Sequence, residues 1–128
     1  MFKYNCSSAI IITGGHPSSN SQSVELLKED GSQFCSLPDL PDDREYHSQS
    51  GLTLCGGLDT DAIRRSCLTF TQGTWRTSHN LVHQRDGHTS WQSYRGIILM
   101  GGNYSDDTAE LLTDSGDSVE IFTLKHPS

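Results

Sequence analysis

The 128-residue chain has no basic run: nine lysines and arginines stand against sixteen acidic residues, only Arg64-Arg65 are adjacent, and the formal charge is −7. Nucleic acid or an acidic membrane surface is therefore not the expected partner. No stretch approaches the roughly 18 apolar residues of a membrane span, so membrane insertion by a helix is not expected. The opening MFKYNCSSAIIITGG is too short and too polar at its start to read as a secretory leader. That leaves a cytosolic chain or one that begins downstream of a leader. Hydrophobic content is low at 33%, yet those residues fall in clusters, which argues for a folded chain. Its length suits one domain. The four cysteines, Cys6, Cys35, Cys55 and Cys67, contain no Cys-x-x-Cys pair, which disfavours zinc. Signatures of catalysis are missing as well. There is no Gly-x-Ser-x-Gly, and GGLDTDA lacks the lysine of a phosphate-binding loop.

What is present is a recurrence. Apolar runs end on glycine pairs at Gly14-Gly15, Gly56-Gly57 and Gly101-Gly102, spaced 42 and 45 residues apart. Periods of this size mark repeat architectures. Other features fall at matching offsets. SVELLKEDGSQF follows the first pair and AELLTDSGDSV the third, aligning Leu27 with Leu112, Gly31 with Gly116 and Phe34 with Val119. In the second unit, SCLTFTQGTW places Leu68 seven residues before Trp75, the spacing of Leu27 to Phe34 and Leu112 to Val119. Arg44-Glu45-Tyr46-His47 and Arg85-Asp86-Gly87-His88 share an Arg-x-x-His pattern 41 residues apart.

Each unit reads as several short strands separated by turn residues, so the chain is expected to be all-β with almost no helix, residues 24–30 and 109–115 included. The set of markers, an apolar run into Gly-Gly, an apolar residue ten to twelve positions on and an aromatic seven beyond that, resembles the kelch repeat, one unit of a β-propeller. Neither tryptophan is followed by aspartate, which separates the chain from the Trp-Asp propellers. The resemblance implies three four-stranded antiparallel blades over residues 1–43, 44–84 and 85–128, with residues 1–8 standing in for the first strand. In that arrangement Gly-Gly lets strands approach closely, Phe34 and Trp75 fill the space between blades, and Arg44, His47, Arg85 and His88 hold a shared structural place.

Closed propellers typically use four to eight blades. Three repeats imply a section of a larger protein, or self-association of two chains into a six-bladed ring. The function implied is non-catalytic binding of a protein partner not identified by the sequence, through the loops after Gly15, Gly57 and Gly102. The alternative is a fragment of a kelch-like copper oxidase, which needs histidine and tyrosine ligands converging on the axis. No such set can be assembled, and no cofactor or metal is expected. His79 and His83, four apart, would lie about 13 Å apart on a strand. The acidic loops at Asp59 to Asp61 and Ser105 to Asp107 read as solvated rather than as calcium sites.

Cys55 and Cys67 flank a single hairpin loop of eleven residues, which favours their pairing as a disulfide and leaves Cys6 with Cys35. The sequons at Asn5 and Asn103 point the same way with small weight, since about one sequon is expected by chance among four asparagines. Together they tilt the expectation toward a secreted or extracellular parent over a cytosolic one.

Overall fold

Runs such as AIIIT, SCLTFT and GIILM carry the β-branched and alternating residues that suit a pleated surface. The computed structural model describes residues 9–13, 22–28, 34–58, 62–103 and 107–123. Among the described residues there are eleven strands and no helix: β1 Ala9–Thr13, β2 Val24–Lys28, β3 Phe34–Ser36, β4 Ser48–Ser50, β5 Thr53–Cys55, β6 Ser66–Thr71, β7 Thr74–Asn80, β8 Thr89–Ser93, β9 Gly96–Met100, β10 Thr108–Leu112 and β11 Ser118–Thr123. The VELL and AELL segments, which could pass for helical turns, are β2 and β10. The protein is all-β.

The strands form three antiparallel meanders in chain order: β1-β2-β3, β4-β5-β6-β7 and β8-β9-β10-β11. Two sheets have the expected four strands. The first has three among the described residues, and residues 1–8 lie outside them. Tight turns set the registers. At Gln72-Gly73, φ of 52° and 81° puts both central residues in the left-handed region, as a twist-matched two-residue hairpin requires.

Because successive side chains point to opposite faces, the middle sheet serves two cores. Leu54, Leu68, Phe70 and Trp75 pack with Val24, Leu37 and Leu40 on one side. On the other, Cys55 and Cys67 pack with Leu81, Leu99, Leu112 and Ile97. Trp75 stands opposite Phe70 with ring centroids 5.2 Å apart, and its indole N–H reaches back to the Pro38 carbonyl at 2.9 Å. The sheets also meet at their first strands, where the Ser90 hydroxyl of β8 donates to the Gln49 carbonyl of β4 at 3.2 Å.

The registers correct the sequence alignment at two places. Leu27 pairs with Ile10, four residues before the first Gly-Gly, and Leu111 pairs with Ile98, a register that carries Leu112 to Ile97, four before the third. Their counterpart in the second sheet is Phe70, whose amide bonds Leu52, not Leu68. Likewise Leu27, Phe70 and Leu112 face Phe34, Trp75 and Ser118 respectively across their hairpins, so Ser118 rather than Val119 takes the aromatic's place. Hairpin lengths differ between the units, so a constant spacing of seven slides off register. The bulges agree with the corrected alignment. One falls between Cys67 and Leu68 and the other between Ala109 and Glu110, at matching positions.

Candidate functional site at the Gly-Gly ends of the sheets

Arg44 and Arg85 lie just ahead of β4 and β8 and have no solvent exposure. A buried guanidinium must find acceptors for its N–H groups, and both arginines find the same ones. Arg44 Nη1 donates to the carbonyls of Gly56 at 2.9 Å and Ser66 at 2.7 Å, and Nη2 donates to Ser66 Oγ. Arg85 Nη1 donates to the carbonyls of Gly101 at 2.7 Å and Thr108 at 3.1 Å, and Nη2 to Thr108 Oγ1. Each arginine thereby ties the first glycine of its sheet's pair to the start of the next strand. Nε finds a different acid in each case: Asp42 at 2.7 Å for Arg44 and Glu110 at 2.9 Å for Arg85.

Glu110 was not legible as a site residue. It is fully buried, and it accepts from the Val82 and His83 amides and the Ser118 hydroxyl as well as from Arg85. It thus fastens the link between the second and third sheets to β10. The available signal was a charge inside the apolar AELL strand, at the position that Leu68 fills in the second sheet.

The histidine of each Arg-x-x-His turns back toward the preceding sheet. The Thr13 hydroxyl gives its one proton to Gln49 Oε1 at 2.8 Å, so the 2.7 Å contact with His47 Nε2 is donated by the histidine. His88 lies against Gly56. Burial holds His47 well below the ordinary imidazole value, at about 4; Arg44 adds to this, while hydrogen bonding to Thr13 and the Asp42 charge oppose it. His88 is also lowered to about 4, first by burial, then by Arg85 and His47, against Asp86 and the Cys55 backbone. Both rings are therefore neutral at pH 7.

The glycine pairs make these contacts possible. A Cβ on Gly56 would stand 2.4 Å from the Arg85 carbonyl oxygen and 2.7 Å from His88 Cε1, and one on Gly57 would stand 2.9 Å from His47 Cβ. The Gly57 amide crosses between sheets to the Arg85 carbonyl at 2.7 Å. Gly102 repeats the pattern, with a Cβ there 2.9 Å from the Asp86 carbonyl and 3.3 Å from His88 Cβ. Gly14 and Gly15 lie outside the described residues, and Phe34 is described only as backbone in β3.

Cys55 and Cys67 face each other across β5 and β6, with Cα atoms 4.1 Å apart and the sulfurs at disulfide distance, 2.12 Å. Both are buried between the second and third sheets. Cys6 lies outside the described residues. The other histidines hold chain segments: His79 Nε2 donates to the Thr113 carbonyl at 2.8 Å, and His83 pairs with Glu120 at 2.7 Å on the surface. Among the described residues no three histidine, cysteine or acidic side chains come together as a metal site. Of the loops after the glycine pairs, Leu58, Ala62, Asn103 and Asp107 are described; Asn103 is exposed, and residues 59–61 and 104–106 fall outside, as does Asn5. No protein-family model matches the chain, and no curated protein matches it.

Proposed function

We propose that this chain is a section of a kelch-type β-propeller that serves as a non-catalytic protein-binding module. The observation that carries the reading is the duplicated clamp: Arg44 with Gly56 and Ser66 recurs as Arg85 with Gly101 and Thr108, donor for donor. Serial meanders that carry the same clamp at the same place are what a blade array needs. A further blade is supported by the outer face of the third sheet, where Trp91, Ile98, Leu111 and Val119 form one cross-strand row and Met100, Ala109 and Phe122 another. Trp91, Val119 and Phe122 are 57%, 49% and 44% exposed, a patch larger than isolated surface residues would make.

Binding rather than catalysis is supported by the structural use of the two arginines, Glu110 and His79. Arg44, Arg85, Glu110 and His79 are all tied to neighbouring chain segments. The loops at the Gly-Gly ends vary in sequence over a constant scaffold, which suits recognition. The Cys55–Cys67 pair supports an oxidising, extracellular setting for the parent. Affinity capture with cross-linking on the full-length parent tests the reading. The expected result is a protein cross-linked through residues 58–62 or 103–107. Stoichiometric copper in the purified parent, with oxidase turnover, would overturn it in favour of the enzyme.

A further inference from the structure

Asn103 stands directly after Gly101-Gly102, and two hydrogen bonds to one residue fix it. Its amide N–H donates to the Asp86 carbonyl at 3.0 Å, and its Nδ2 donates to Asp86 Oδ2 at 2.9 Å. Asp86 is buried and Asn103 exposed, so the carboxamide is anchored from below. A primary amide carries two N–H bonds, and Asp86 takes one of them. The neighbouring residue leaves room: a Cβ on Gly87 would come within 3.3 Å of Asn103 Nδ2, and none is there. In the second sheet the two corresponding positions hold Tyr46 and Leu58, with Tyr46 taking at φ 59° the backbone shape Gly87 takes at 65°. Between the second and third units, the third alone thus combines an uncrowded position with an asparagine. That asparagine begins Asn103-Tyr104-Ser105, an Asn-x-Ser triplet without proline.

We propose that Asn103 is an N-glycosylation site whose first N-acetylglucosamine is held in orientation by Asp86. In the transfer, Nδ2 bonds to C1 of the sugar, and the C1–O bond to a polyprenyl-pyrophosphate oligosaccharide donor breaks. The lipid pyrophosphate leaves, one Nδ2 proton passes to base, and nothing is oxidised or reduced. The remaining N–H continues to donate to Asp86, so the folded chain accommodates the product without losing that bond. Sugar here would cover the Gly-Gly end of the third sheet, so of the two loops proposed to meet a protein it leaves residues 58–62 open.

The proposal rests on the extracellular reading of the parent, and the test separates the two. The chain is produced behind a secretion leader in a eukaryotic host, in an Asn5→Gln background so that position 103 alone is read. Peptide mass spectrometry after glycosidase release in heavy-oxygen water then gives occupancy. The expected result is a glycan on most secreted molecules, abolished by Asn103→Gln. Secreted, folded chain with unmodified Asn103 would overturn the site. Whether the parent reaches the secretory route with its own sequence is a separate measurement, and its failure would overturn the compartment reading instead.

Discussion

Arg44 and Arg85 are charges without solvent, a placement that costs several kcal/mol per ion unless every donor is met. Arg85 meets that demand with Glu110, itself fully buried, so the two stand or fall together. Arg85→Leu leaves a buried carboxylate unpaired and is expected to cost about 3–5 kcal/mol in urea denaturation. Adding Glu110→Gln to it is expected to recover part of that loss. A cost below about 1 kcal/mol for the single change would show that the pair contributes little. The buried histidines make a separate prediction. Their folded-state values of about 4 lie below the ordinary 6.5, so between those limits the unfolded chain binds protons that the folded chain does not. Stability is therefore complete above pH ~6.5 and falls as the pH drops toward ~4, by a few kcal/mol for the two together. His47→Gln with His88→Gln should flatten that part of the pH profile, and an unchanged slope would contradict the assignment.

At the scale of strands and hairpins, the sequence disclosed whatever recurs with fixed chemistry. Gly56-Gly57, Gly101-Gly102, Arg44 and Arg85 were legible because backbone approach and buried guanidinium bonding tolerate few other residues. Strand existence was legible for the same reason. Register was not. The Phe70–Trp75 hairpin closes through Gln72-Gly73, while Leu112 and Ser118 are separated by a longer turn. A spacing of seven therefore named Leu68 and Val119 where the ladders hold Phe70 and Ser118. Glu110 was hidden because a lone acid in a strand reads as a solvent-facing residue until its partner, 25 positions away, is known. The corrected register has a measurable consequence. Trp75→Ala removes a ring that is 8% exposed and packed at a tilt against Phe70, and is expected to cost about 3–5 kcal/mol. Val119→Ala, at a half-exposed position, should stay within about 1 kcal/mol. Equal costs would restore the alignment that equates the two.

Across the whole molecule, three antiparallel sheets follow one another in chain order, and Trp91, Val119 and Phe122 stand exposed on the outer face of the last. An open face of this kind drives association when nothing covers it. The isolated 128-residue chain is expected to self-associate in sedimentation velocity, and Trp91→Lys with Phe122→Lys to return it toward the monomer. A monomer at all concentrations, before substitution, would speak against that face as a stacking surface. The junction itself is most directly reported by hydrogen exchange at the Gly57 amide, which leaves its own sheet to reach the Arg85 carbonyl of the next at 2.7 Å. If the sheets stack through Gly-Gly and Arg-x-x-His, this amide exchanges as slowly as the β5–β6 ladder amides beside it. Exchange at the rate of an unprotected loop while that ladder stays protected would contradict the stacked arrangement.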